Sequence, residues 1–124
     1  MQTLLQNPAA AYRKVDLEAR IEASAVEDLT RICLEEAVAA LRQAELASAN
    51  GAENAARDPL SRAHAIVLWL ARGVADDNPL RQPLLQFYGG QALEIQSLIT
   101  RPTHKRIAAV CADFSDLFDA AKAV

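Results

Sequence analysis

Four stretches of apolar residues, each recurring at steps of three and four, constrain this chain more than any other feature. The first comprises Val26, Leu29, Ile32, Cys33, Ala37, Ala40, Leu41, Ala44 and Ala47, with Leu34 and Val38 widening it. Such spacing marks the buried face of a helix, which turns once in about 3.6 residues. Ser24-Ala25-Val26-Glu27 before it has the form of a capping box, and Asn50-Gly51 after it supplies a left-handed stop. The second stripe is Leu60, Ala63, Ile66, Val67, Leu70, Ala71 and Val74, entered through Asp58-Pro59 as N-cap and first-turn proline. Leu68 and Trp69 spill off that stripe, which predicts the most buried helix of the set. Asp76-Asp77-Asn78-Pro79 breaks the chain before Leu80, Leu84, Leu85, Tyr88, Ala92, Ile95, Leu98 and Ile99. Pro83 must then lie in a first turn, where its missing N–H costs nothing. Thr100-Arg101-Pro102-Thr103 precedes the last stripe, Ile107, Val110, Cys111, Phe114, Leu117, Phe118 and Ala121.

No segment alternates with period two, so the expected fold is all-α, without a sheet. Four helices joined by short polar breaks pack most simply as an antiparallel up-down four-helix bundle. Residues 24–124 form that bundle, with helix limits near Ser24, Asn50, Asp58, Asp76, Pro79, Thr100, Pro102 and Ala121. Residues 1–23 remain as a short N-terminal helical arm; Tyr12, Val15 and Leu17 are too sparse for a fifth core helix. Aromatics make up only 5% of the residues, so the core must be built from small and aliphatic side chains.

The same composition narrows function. A net charge of −3 argues against nucleic acid as a partner. No apolar run approaches the ~18 residues of a membrane span, and the N-terminus lacks a secretory pattern, so a cytoplasmic protein without membrane insertion is expected. Cys33 and Cys111 stand among apolar neighbours at no metal or redox spacing, and are expected as buried free thiols.

Neither His64 nor His104 has a glutamate three residues before it, as a carboxylate-bridged metal site in a bundle requires. No nucleophile elbow or phosphate-cradling loop is present either. The expectation is a protein that is not an enzyme and uses no cofactor or metal. Arg62-Ala63-His64-Ala65 is similar to the opening of histidine phosphotransfer domains, the alternative reading. Ile66, Val67, Leu68 and Trp69 follow it, however, where those domains carry a lysine and a glycine. His104 is expected at the surface. Gly89-Gly90, inside a helical stripe, predicts a kink, a close backbone approach or a notch for a partner. Glu35-Glu36 and the series Asp113, Asp116, Asp119 read as solvated acidic faces able to attract a basic partner.

Ala11-Tyr12-Arg13-Lys14-Val15, then Leu29 opening a long apolar helix that closes on Ala40-Leu41-Arg42-Gln43-Ala44, resembles the flagellar export chaperone family (FliS type). Ala63 to Leu70 looks like that family's apolar third helix, and Leu84-Leu85-Gln86-Phe87-Tyr88 like its Leu-x-x-Leu-Tyr stretch. Leu34-Glu35-Glu36 stands where the family has Tyr-Asp-Gly, and Ser24-Ala25 where it has Ser-Pro. The resemblance spans about residues 9–121. It implies a cytosolic chaperone that holds the C-terminal segment of flagellin in an apolar groove before type III export, with the arm partly occluding the empty groove. Tyr12, Val15, Leu68, Leu84, Phe87 and Tyr88 are the partner-binding residues it implies. An unspecified helical adaptor is the remaining alternative.

Overall fold

Gly51 adopts a φ of +76°, in the left-handed region that ends a helix without a Cβ clash. The helix it ends is α1, Val26–Ala49. Beyond the stop, the Ala52 N–H donates to the Ala47 carbonyl at 2.9 Å and the Gly51 N–H to the Ser48 carbonyl at 3.2 Å. Two carbonyls orphaned at the helix end are thereby satisfied, as the Asn50-Gly51 pair predicts. The computed structural model describes residues 26–122. Its remaining helices are α2 (Glu53–Arg72), α3 (Arg81–Thr100) and α4 (His104–Lys122), and no strand occurs among the described residues. The all-α four-helix bundle read from the stripes is the observed fold. The arm at 1–23 and the Ser24 half of the capping box lie outside the described residues.

The start of α2 corrects the sequence reading. Pro59 is not a first-turn residue but lies inside the helix, which begins at Glu53. Ala56, Pro59, Leu60 and Ala63 are buried together on one stripe, so the turn before the proline joins the core. Arg57 pins that turn: its Nε donates to the Ile99 carbonyl of α3 at 3.1 Å and its Nη1 to Asn54 Oδ1 at 2.9 Å. A mid-helix proline costs about 3 kcal/mol, and a fully buried large apolar side chain returns roughly 1.5–3 kcal/mol. With Leu60 and Val67 both at 0% exposure, the stripe outweighs the break. Nor is α2 buried all round, since Leu68 is 39% exposed and Trp69 half-buried.

Before α3, Asn78 organises the turn. Its Oδ1 accepts from the Leu80 N–H at 2.8 Å, and its carbonyl accepts from the Arg81 N–H at 3.0 Å. Pro83 then falls in the first turn of α3, as expected. At the far end, Ser48 Oγ and His104 Nδ1 lie 3.1 Å apart, tying the end of α1 to the exposed start of α4.

Among the described residues the core is wholly hydrophobic. Its small members, Ala37, Ala40 and Ala44 on α1 and Ala56 and Ala63 on α2, are at most 1% exposed. Small side chains let helix axes approach, and α1 and α2 make the most extensive contact in the bundle. The slightest contact between sequence neighbours is that of α3 with α4. No helix among the described residues is long and apolar enough to cross a membrane.

Candidate functional site

The α3–α4 seam is filled by rings rather than alanines. Phe87 and Tyr88 are consecutive on α3 and meet Phe114 of α4. Phe87 lies edge-on to Phe114 at 5.1 Å, and Tyr88 stacks on it at 6.5 Å. Phe87 and Tyr88 are themselves edge-on at 5.8 Å. Rings of this size hold two helices farther apart than alanines do, which accounts for the slight backbone contact here.

Polar groups clasp the two helices beyond this cluster, toward the end of α3 and the start of α4. Arg106 donates to Glu94 through Nε and Nη2, both at 2.8 Å, and Nη2 also donates to Ser97 Oγ at 3.2 Å. Gln91 Nε2 donates to Asp113 Oδ2 at 2.9 Å. The hydrogen bond from Arg106 holds the Glu94 carboxyl below its ordinary range, against a smaller opposing effect of burial.

Apart from Ala47 and Ile99, the half-buried apolar residues gather at one end of the bundle. Ile32 of α1, Trp69 of α2, Leu84 and Phe87 of α3, and Leu117 and Phe118 of α4 all border the core without being sealed in it. In an antiparallel bundle this is the end where α1 and α3 begin and α2 and α4 finish. Between α1 and α4, a shallow depression there is lined by Arg31, Ile32, Glu35 and Phe118.

Of the six residues implied by the resemblance, Leu84, Phe87 and Tyr88 come together on the first half of α3. Leu84 and Phe87 are half-buried against the core. Tyr88 is only 2% exposed and belongs to the core itself, so its ring is not an available contact surface. It reads as an interface tyrosine in sequence because a ring with a polar tip suits a surface, yet its stripe turns it inward. Burial, with Cys33 nearby, pushes the Tyr88 phenol up to about 12. Leu68 lies apart on α2, exposed. Tyr12 and Val15 fall outside the described residues. Phe114, which completes the aromatic seam, and Phe118, which faces α1, are legible in the sequence only as members of a stripe.

The other candidates resolve as follows. Cys33 and Cys111 are free and buried; burial, then Glu36, pushes the Cys33 thiol up to about 12, and burial also raises Cys111. Such thiols are unreactive at neutral pH. His64 is half-buried, and its neighbour Arg62 is engaged with Gln43 of α1. Asp113, Asp116 and Asp119 are exposed. Among the described residues no group of three or more His, Cys, Asp or Glu is placed to hold a metal. Gly89 and Gly90 lie in unbroken helix and are exposed, and a Cβ at either would meet nothing within 4 Å. The expected close backbone approach at these glycines is therefore absent.

Compared with known proteins, the chain matches no family model and no curated protein.

Proposed function

We propose that this protein is a helix-binding chaperone of the flagellar export type, which covers the C-terminal helical segment of flagellin before secretion. The observation that carries the reading is the half-buried apolar rim, Leu84, Phe87 and Leu117, at the slightest contact between consecutive helices, with Phe118 continuing it toward α1. An amphipathic helix binds by laying its apolar stripe into such a groove. Burying each large side chain further is worth up to about 1.5–3 kcal/mol, so a few anchors suffice for micromolar binding. No bond is made or broken on this reading; the work is to keep a sticky helix from polymerising. The sequence resemblance supplies flagellin as the partner, and the exposed acidic series on α4 suits a partner with basic residues beside its apolar stripe.

Calorimetric titration of a flagellin C-terminal peptide into the full chain tests this. Saturable binding that falls about tenfold or more in Phe87→Ala, with the bundle still folded, is the expected result. No binding by the folded wild-type chain removes the proposal.

A further inference from the structure

The four seams of the bundle are unequal. Helix α3 lies along α2, and α4 along α1, in extensive contact, and α1 meets α2 most extensively of all. Three seams thus join the helices in the spatial order α3, α2, α1, α4, and the slight α3–α4 seam closes that row into a bundle. The closing seam is also uneven along its length. Near the turn at residues 101–103 it is crossed by Arg106 with Glu94 and by Gln91 with Asp113. Toward its other end Phe87 and Tyr88 meet Phe114, and half-buried Leu84 and Leu117 stand beyond them. The two buried thiols occupy different seams. Cys33 of α1 neighbours Tyr88 of α3 across the centre of the bundle. Cys111 of α4 is set against α1, with Glu45 of α1 and Ser115 beside it.

We propose that α3 and α4 form a jaw, hinged at the turn that joins them, whose aromatic half parts while the other three seams stay closed. The two polar clasps set how often it parts. Local opening takes the least-contacted part of a fold first. Parting here gives up ring contacts and two surface clasps, each worth little in water, and leaves the extensive seams intact. It lays bare Tyr88 and Phe114, both buried in the closed bundle, as the floor of a cleft that an apolar helix can enter. Because Cys33 neighbours Tyr88, parting uncovers that thiol too, whereas Cys111 stays covered by α1. Entry of a partner helix rests on the proposed function; the jaw itself does not.

Thiol labelling of the full chain tests it. N-ethylmaleimide is applied under native conditions, and mass spectrometry follows Cys33 and Cys111 separately in the wild type and in a Glu94→Ala, Asp113→Ala double variant. Both replaced side chains reach solvent and alanine is the best helix former, so the variant should melt near the wild-type temperature. Cys33 is expected to react about three- to tenfold faster in the variant, while Cys111 keeps its wild-type rate. An unchanged Cys33 rate overturns the jaw. Equal acceleration of both thiols also overturns it, because the opening is then global. A flagellin C-terminal peptide separates the jaw from its use: its association rate should rise in the variant by the same factor as Cys33 labelling. A peptide that binds neither form removes the proposed function and leaves the thiol rates to decide the jaw. A peptide that binds both forms at one rate overturns the jaw as the partner's entrance.

Discussion

One side of this bundle is packed with alanine and the other is propped by rings. Between α1 and α2, fully buried alanines let two backbones approach along their length, and contact is most extensive there. Between α3 and α4, Phe87, Tyr88 and Phe114 stand in the gap, and contact is the slightest between consecutive helices. The two solutions respond differently to change. An alanine seam has no room to add atoms, whereas an aromatic seam concentrates its stabilisation in a few large side chains. The second kind is also the easier to open, because fewer backbone contacts must be given up. Half-buried Leu84, Phe87 and Leu117 border that seam, and they are the residues the proposed partner helix would cover.

The largest expected effect comes from removing the prop. Phe114 is 0% exposed, so Phe114→Ala should cost about 3–5 kcal/mol in a denaturant titration. A loss under about 1 kcal/mol would mean that α3 and α4 close over the vacancy, and the contrast between the seams would then dissolve. On the alanine side the informative change is an addition. Ala44, also 0% exposed, should resist enlargement, and Ala44→Leu is expected to cost about 1–3 kcal/mol by overpacking. If that variant is neutral or stabilising, α1 and α2 are less closely packed than their alanines indicate.

Base should next act on the ring side through its contact with α1. Cys33 and Tyr88 are both held neutral to about pH 12 by burial. Groups with raised folded-state pKa values contribute stability that is fully present below their unfolded values and is lost as pH rises through the folded ones. The bundle should therefore weaken between pH 9 and 12, where the unfolded thiol and phenol ionise before the folded ones. Tyr88→Phe should remove part of this slope in a pH series of thermal melts; an unchanged slope would assign it elsewhere.

The smallest effect belongs to the Arg106–Glu94 clasp, which is solvent-exposed and so contributes little to global stability. Because the Glu94 carboxyl is depressed, its contribution is present above the ordinary carboxylate range and lost as pH falls through the lowered value. Glu94→Gln should leave the thermal midpoint nearly unmoved at neutral pH. It should nonetheless speed amide exchange on the facing turns of α3 and α4, while exchange in α1 stays as it was. Equal acceleration in all four helices would mean that the clasp does not hold this seam in particular.

The sequence by itself determined where the chain must stop and which positions must hide. Asn50-Gly51 ends α1 because the signal is local: a left-handed residue and the carbonyls within one turn of it. Leu41, Ile95 and Ile107 are buried because no helix spaced in threes and fours can leave its stripe in water. Cys33 and Cys111 follow the same rule. Only the tertiary structure decided that α2 begins six residues before Pro59, since the turn ahead of the proline is held by burial of Ala56 and by Arg57 reaching α3. It also decided that Tyr88 points inward onto Phe114 and that Gly89 and Gly90 face outward. Periodicity reports a face but not what meets it. Whether a seam is lined by alanines or propped open by rings depends on which two stripes are brought together, and that is settled between helices.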